Sequence, residues 1–590
     1  MRIEDYALLG DGQSAALVDR TGSIDWLCWP AFDSDTCFAA LLGGPENGFW
    51  RIAPEAPVLA SSRHYAGDTL ILETTLETAS GTVVLTDWMA WEAEQPTLMR
   101  RLRCERGTLR IVSDLQARFD YGKAISWCRS ISPRVRIICG PHTLWLDSTV
   151  PLTCGEGAAQ AVFAMAAGEQ HDFTLTCCRS GTQAPPRPEV ERLLADTTRF
   201  WTDWSAQSTV RGKYAEPIQR SLITLKALAS TASGGIVAAP TSSLPERIGD
   251  TRNWDYRFCW LRDASFTLIA LLGGGYHAEA CRWRDWLVRA IAGHPAQMQI
   301  LYALDGSRRI DEWECPWLSG YENSRPVRFG NAAVNQSQLD VYGEVLNALY
   351  TSRCAGLPPD DDAWSLELRL VDHLQQIWRE PDDSIWEVRS GAQQFTFSKV
   401  MAWVAVDRAL RTAKQFGMCA PTARWTALAD EIRNDVLVRG FDRHLNTFTQ
   451  SYGSVRLDAS CLLIAVTGFL PIDDPRVDGT VKAIEAGLME DGLLMRYRED
   501  NLDAGHSGGE GAFLACNFWL AQVRQMQGRA VEARDLFDRL IALRNDVGLL
   551  AEKYDTRSKR LLGNFPQTFS HVALVNAGLC IGEGNDVAAG

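Results

Sequence analysis

From about Glu216 onward, about twelve helical stretches are joined by gaps that alternate between long and short. The long gaps run roughly 232–262, 294–335, 379–396, 440–457, 490–510 and 546–566, and the short ones lie near Gly274, Gly356, Gly417, Pro471 and Gly528. Antiparallel helices joined this way carry all their long connections at one end. Six hairpins of two helices then suggest an (α/α)6 barrel. No internal repeat supports this, so helix count and gap alternation carry it. Long connections in compact domains are usually functional or disordered, and these are rich in Trp, Arg, Asp and Glu. One face of the domain is therefore expected to collect chemistry from segments far apart in the chain.

Residues 1–188 read as β. Thr69–Thr78, Thr82–Asp87, Thr108–Ser113, Thr143–Asp147, Ala161–Met165 and His171–Thr176 are strand candidates, many with the two-residue alternation of half-buried strands. So many strands without intervening helices imply an antiparallel sandwich. Pro185, Pro186 and Pro188 mark a boundary. A linker of 189–212 follows, helical over roughly Glu189–Ser205, and 213–590 form the helical domain. Val400–Ala413 and Ala530–Leu543 show the i, i+3, i+4 apolar pattern. Ala264–Leu272 is apolar nearly all round, as an inner helix of a double ring should be.

A chain of 590 residues exceeds what one core normally serves. The net charge of −14 comes without a basic stripe, which argues against nucleic acid. No apolar run approaches a membrane span. The opening MRIEDYALLGDGQ lacks the charged and apolar regions of an export signal. The 16 cysteines are scattered without a CxxC pair and read as reduced thiols of a cytoplasmic protein. The nine histidines show no HxxxH or HExxH spacing, so zinc is not expected. No cofactor is required by the sequence, and dependence on phosphate or magnesium stays open. A homo-oligomer is compatible with this composition.

Among 21 tryptophans, Trp254, Trp260, Trp313, Trp317 and Trp386 sit beside Arg, Asp or Glu in the long gaps. Aromatic faces beside hydrogen-bonding charges suit sugar rings. Five segments carry candidates. In Asn253–Asp263, Asp263 either caps the following helix or joins Arg262 in gripping hydroxyls while Trp260 lines a pocket. In Ser324–Asn331, Arg325 and Arg328 either bind substrate or pair with surface acids. In Asp383–Glu387, Glu387 behind Trp386 is either an exposed loop glutamate or a general acid with a desolvated carboxyl. In the fourth, Met495–Asp500 and Gly508–Ala512, the glycines do not follow a strand of a βαβ unit, so a phosphate cradle is weakly supported. There Glu510 alternatively favours the next helix's N-terminus. In the fifth, Glu552 is a candidate second carboxylate, and His571 reads as structural. Trp26, Trp29 and Asp33 are candidates for a lid, with core packing the plainer alternative.

Taken together these segments resemble glycoside hydrolase family 15, which includes glucoamylases, glucodextranases and bacterial trehalases. The resemblance spans nearly the whole chain. It rests on Ile3–Gly12, Gly22–Pro30, Trp260-Leu-Arg-Asp263, Phe395–Trp403 and Gly563-Asn-Phe-Pro-Gln567, in order. It implies an N-terminal antiparallel β-supersandwich followed by a C-terminal (α/α)6 barrel. It also implies that Glu387 is the general acid and Glu552 the general base. Arg262 and Asp263 match the pair that holds the non-reducing glucose, and Arg496 a further sugar contact. Trp260, Trp386, Arg325, Arg328 and Tyr554 complete the candidate substrate contacts. Compared with fungal glucoamylases, a serine that supports the base is Gly563 here and a pocket tryptophan is Phe569, which puts starch specificity in doubt.

The implied reaction is inverting hydrolysis of an α-glucoside. Its two carboxyls stand about 6.5–9.5 Å apart to admit water, and Glu387 is expected to have the higher pKa. The first expected substrate is α,α-trehalose. Malto- or isomalto-oligosaccharides come second, and a glycoside phosphorylase or a non-catalytic sugar-binding protein remain as other classes.

Overall fold

The computed structural model describes residues 1–358, 360–389, 391–498 and 510–583. Glu499, Asp500, Gly508 and Gly509 of the fourth segment lie outside the described residues.

The N-terminal part is an antiparallel 15-stranded sheet system built around one long strand, Thr97–Gln116. Its first half pairs with Gly81–Met89 and Gln170–Arg179, and its second half with Phe49–Pro54 and Ala158–Ala166. One strand thus belongs to two sheets. The strand alternates over much of its length. Leu109, Ile111, Ser113 and Leu115 are buried, and Arg110, Val112 and Asp114 point the other way, as a period of two requires. Arg100 is the exception that must be paid for: it lies fully buried and donates Nε to Asp87 at 2.8 Å. The helix Val190–Ser205 leads out of the sheet, with Trp201 and Trp204 inward and Phe200 stacked on Trp91 at 4.0 Å.

The helical part follows the gap alternation read from the sequence. Leu261–Gly273 packs on Asp340–Cys354, and that helix on Thr396–Phe416. Next come the short turns Ala459–Leu462 and Leu463–Val466, then Leu514–Met526, then Thr568–Glu583, which returns to Leu261–Gly273 and closes the cycle. The outer helices are Ala215–Ala227, His277–Ala290, Asp361–Ile377, Thr422–Arg439, Pro475–Leu488 and Ala530–Ile541. The two layers bury differently. Thr396–Phe416 is buried on almost every side of its first three turns. Thr422–Arg439 buries only Trp425, Leu428, Ala429, Ile432 and Val436, the stripe of a surface helix. Inner helices approach closely at Gly343, where a Cβ would stand 2.4 Å from the Met401 carbonyl oxygen. The fourth inner position differs from the expected full helix. Gly468 at φ +76 and Pro471 stop it after a single α turn.

The two parts are joined by buried and partly buried polar contacts. Arg63 reaches Asp546 at 2.8 Å, Arg220 Nη1 donates to the Thr69 carbonyl at 2.7 Å, and Trp26 Nε1 donates to the Pro240 carbonyl at 2.8 Å. Trp26 and Trp29 are therefore core, and Asp33 is half-buried; none of the three lines the main cavity. Among the described residues, no helix is long and apolar enough to cross a membrane.

Candidate active site

The long connections meet around a cavity of about 470 Å³. Trp260, Arg262, Asp263, Trp386, Glu387, Arg496 and Glu552 all line it, although they come from four separate connections.

Glu387 stands on a tight turn. Its own φ is +57 and that of Ser384 is +68, and Glu387 N–H donates to the Ser384 carbonyl at 3.1 Å. Left-handed backbone at a non-glycine residue costs about 1–3 kcal/mol and persists where the surroundings impose it. Here they do. Trp386, the preceding residue, donates its indole N–H to Asp458 at 2.9 Å. Gln336 Nε2 donates to the Glu387 and Val388 carbonyls, each at 3.3 Å. The turn leaves the Glu387 side chain about 20% exposed. Trp260 Nε1 donates to Oε1 at 2.7 Å, and Arg262 Nη1 approaches the same oxygen at 3.5 Å.

Arg262 is fixed as well. It donates Nη1 to the Ile385 carbonyl at 2.7 Å and Nε to Asp263 at 3.0 Å. Asp263 is the third residue of its helix, not the cap; it faces Arg262 from the first turn, where the helix dipole also favours a carboxylate.

Glu552 stands beside a small antiparallel ladder formed by Ala512–Phe513, Lys553–Asp555 and Arg560–Leu562. It is 2% exposed, and Tyr256 donates its hydroxyl to Oε1 at 2.9 Å. Gly563, at φ +80, lies directly behind it: a Cβ there would stand 2.5 Å from Oε2. Position 563 therefore has no room for a side chain in this arrangement. Tyr256 and Trp260, the donors to the two carboxyls, meet edge to face at 5.5 Å.

Burial raises the pKa of both carboxyls. Around Glu387, Arg262 opposes that rise, Asp263 adds to it, and the Trp260 hydrogen bond opposes it. Around Glu552, Glu246 adds to burial while Lys553 and Arg496 oppose, and the carboxyl is pushed up to about 7. The surroundings thus do not single out Glu387 as the weaker acid, contrary to the sequence expectation. Each carboxyl has charges of both signs beside it, Arg262 and Asp263 at Glu387, and Glu246, Lys553 and Arg496 at Glu552.

Residues 212–579 match the model of glycosyl hydrolases family 15, and residues 1–201 match the trehalase-like N-terminal domain. The chain belongs to glycosyl hydrolase family 15. It is 37% identical over 613 residues to a trehalase of Mycobacterium tuberculosis, covering 98% of this chain and 89% of that one. It is 36% identical over 611 residues to a trehalase of Mycolicibacterium smegmatis, covering 98% and 90%. The fold is that of a bacterial glucoamylase solved with acarbose, with a TM-score of 0.75 at 13% identity over 99% of this chain and 94% of that one.

Three sequence candidates of this family 15 hydrolase fall outside the cavity lining. Arg325 is exposed, and its Nε lies 3.4 Å from the Ser319 carbonyl. Arg328 donates Nη1 to the Thr251 carbonyl at 2.6 Å, faces Glu312 and Glu314, and lies 4.7 Å over the Trp254 ring. It buttresses a cavity wall from behind. Tyr554 pairs with Ala512 in the ladder, where alternation turns it away from the face that carries Lys553. His571 is a buried spacer. Its Nδ1 meets Ser221 Oγ at 3.0 Å, its Nε2 accepts from Leu550 N–H at 3.2 Å, and burial drives its pKa down to about 3.

Sequence reasoning passed over Tyr256, Glu246 and Lys553. Tyr256 was legible by its place in Asn253–Asp263. Glu246 had no local signal, because its partners come from distant connections. Lys553 is next to Glu552 in sequence, a position that hides its pairing with Glu246 and Glu510. Among the described residues, no group of three or more His, Cys, Asp or Glu is placed to hold a metal ion.

Proposed function

We propose that this chain is an inverting α-glucosidase whose substrate is α,α-trehalose, with Glu387 as general acid and Glu552 as general base. One observation supports this above all. Two carboxyls from connections far apart in sequence, Glu387 partly buried and Glu552 almost wholly so, open onto one cavity of about 470 Å³, and each accepts from one aromatic donor. The near full-length likeness to trehalases supports the choice of substrate.

The step is a single displacement. Glu387 gives its proton to the glycosidic oxygen as the C1–O bond breaks. A water oxygen adds to C1 from the opposite face, and its proton passes to Glu552. Tyr256, which donates to Oε1 of Glu552, orients that carboxylate in this scheme. The positive charge that develops on the ring is balanced by ionised Glu552. Inversion requires room for that water, about 6.5–9.5 Å between carboxyls. Release of two glucoses leaves Glu387 ionised and Glu552 protonated, and solvent exchange restores both. Arg262, Asp263 and Arg496 hold the glucosyl hydroxyls, and Trp386 packs at the cavity wall. A reducing cytoplasm suits the chain, because all sixteen cysteines are free thiols.

Proton NMR of fresh digests tests the reading. Inverting hydrolysis of α,α-trehalose yields one α- and one β-glucose in equal amounts before mutarotation, and a retaining route yields α-glucose alone. Parallel assays on maltose, isomaltose and soluble starch fix the substrate. No glucose from trehalose removes the trehalase reading, and glucose 1-phosphate formed only with added phosphate removes hydrolysis.

A further inference from the structure

We propose that Glu246 and Lys553 are a matched pair of positioning residues that set how firmly Glu552 holds a proton. This rests on Glu552 being the general base.

The geometry is an ionic cage. Glu246, 3% exposed, accepts from Trp254 Nε1 at 3.1 Å on Oε1, and from Arg496 at 3.0 Å and Lys553 on Oε2. Lys553 is completely buried and donates also to Glu510 at 2.7 Å. Glu510 in turn accepts from Arg496 at 2.7 Å and pairs with Arg252. The cage is tied to the base by backbone as well: Gly563 N–H, behind Glu552, donates to the carbonyl of Pro245 at 2.8 Å.

The charged and titratable groups that face Glu552 are Glu246 from the 227–261 connection, Arg496 from the 488–514 connection, Lys553 from its own strand, and Tyr256, with Glu387 acting from across the cavity on Tyr256. Counted with Glu510 and Arg252, three carboxyls face three cations among the described residues, and this set is neutral when Glu552 is ionised. Buried charges interact strongly because little solvent screens them, so removing either partner unbalances the base, in opposite senses. Without the charge of Glu246, Lys553 and Arg496 act unopposed and favour ionised Glu552. Without the charge of Lys553, the surplus carboxylates favour the proton. The carboxyl shifts follow this arrangement, while burial and then Arg496 lower the pKa of Lys553, and Glu246 and Glu552 oppose. Burial and then Glu246 raise Glu552 to about 7, and Lys553 and Arg496 oppose. Burial works to raise Glu246 also, but Lys553 and Arg496 outweigh it and hold Glu246 down to about 2.

A buried ion pair alone is weak evidence of a stabilising role, so the test reads acidity and not stability. The dependence of kcat/KM on pH is measured for wild type, Glu246→Gln and Lys553→Met with trehalose. Its limbs report the free enzyme's essential acid and base. One limb, that of Glu552, is expected to fall by about one pH unit in Glu246→Gln and to rise by a similar amount in Lys553→Met. Limbs that both stay in place in either folded variant, or that move the same way in both variants, overturn the inference. If one substitution prevents folding, the other decides by the sign of its shift. Glu552→Gln is assayed alongside. Unmoved limbs with inactive Glu552→Gln sink this inference alone, and turnover retained in Glu552→Gln sinks the assignment of the base.

Discussion

The two walls of the cavity hold their carboxyls by different means. Glu387 is held by backbone: a strained turn, one indole anchored on Asp458, and one arginine that also grips the turn through the Ile385 carbonyl. Glu552 is held by charge: a short ladder, a tyrosine and a cage of alternating acids and bases. The difference fits the two tasks. A proton donor must point at one oxygen, and orientation is what a rigid turn supplies. A base must be ionised in a buried place, and balanced charge is what permits that.

The largest effect expected from breaking this comparison is loss of either carboxyl. Glu387→Gln and Glu552→Gln should each lower kcat on trehalose by about 10²–10⁴-fold, the usual worth of acid or base catalysis, with unchanged thermal melts. The two should then part company on α-glucosyl fluoride, whose leaving group needs no proton. Glu387→Gln is expected to recover most of its rate there, and Glu552→Gln is not. Equal rates for both variants on the fluoride would mean that the walls do not divide the work in this way.

Why the walls were unequally legible follows from the same contrast. The acid's wall is local: Trp386 and Glu387 are adjacent, and Asn253–Asp263 carries Trp260, Arg262 and Asp263 in one string. The base's wall is assembled from 246, 496, 510 and 553, and no spacing in the sequence links them. The helical ring was legible because gap length survives folding unchanged. The broken fourth inner element was not, because a Gly and a Pro near a short gap read equally well as the end of a full helix. The backbone strain at Glu387 was also invisible, since nothing in Asp383–Glu387 requires positive φ at a glutamate.

An intermediate effect should come from Gly563, where the base's wall depends on backbone after all. Gly563→Ala places a Cβ against Glu552 and forces an alanine to φ +80. A loss of about 1–3 kcal/mol is expected in chemical denaturation. A fall in kcat of about tenfold or more is expected with it, because a displaced base is misaligned for its water. Stability lost with kcat unchanged would show that Glu552 tolerates displacement, and that charge alone suffices on this side.

The smallest effects separate a wall's inner surface from its support. Arg328 and Arg389 both pair with Glu312 and both lie over Trp254, at 4.7 and 3.9 Å, but Arg389 lines the cavity and Arg328 does not, so Arg328 supports that tryptophan from outside. Arg328→Ala is expected to raise KM for trehalose several-fold with little change in kcat, since the lost contact shapes the wall and not the reacting centre. Arg325 belongs to the same segment but is exposed and outside the cavity lining. Arg325→Ala should stay within about 0.5 kcal/mol in stability, as ordinary surface substitutions do, and should leave kcat/KM within about twofold. A KM effect from Arg325 as large as that from Arg328 would mean that substrate reaches beyond the cavity to the outer face of this segment.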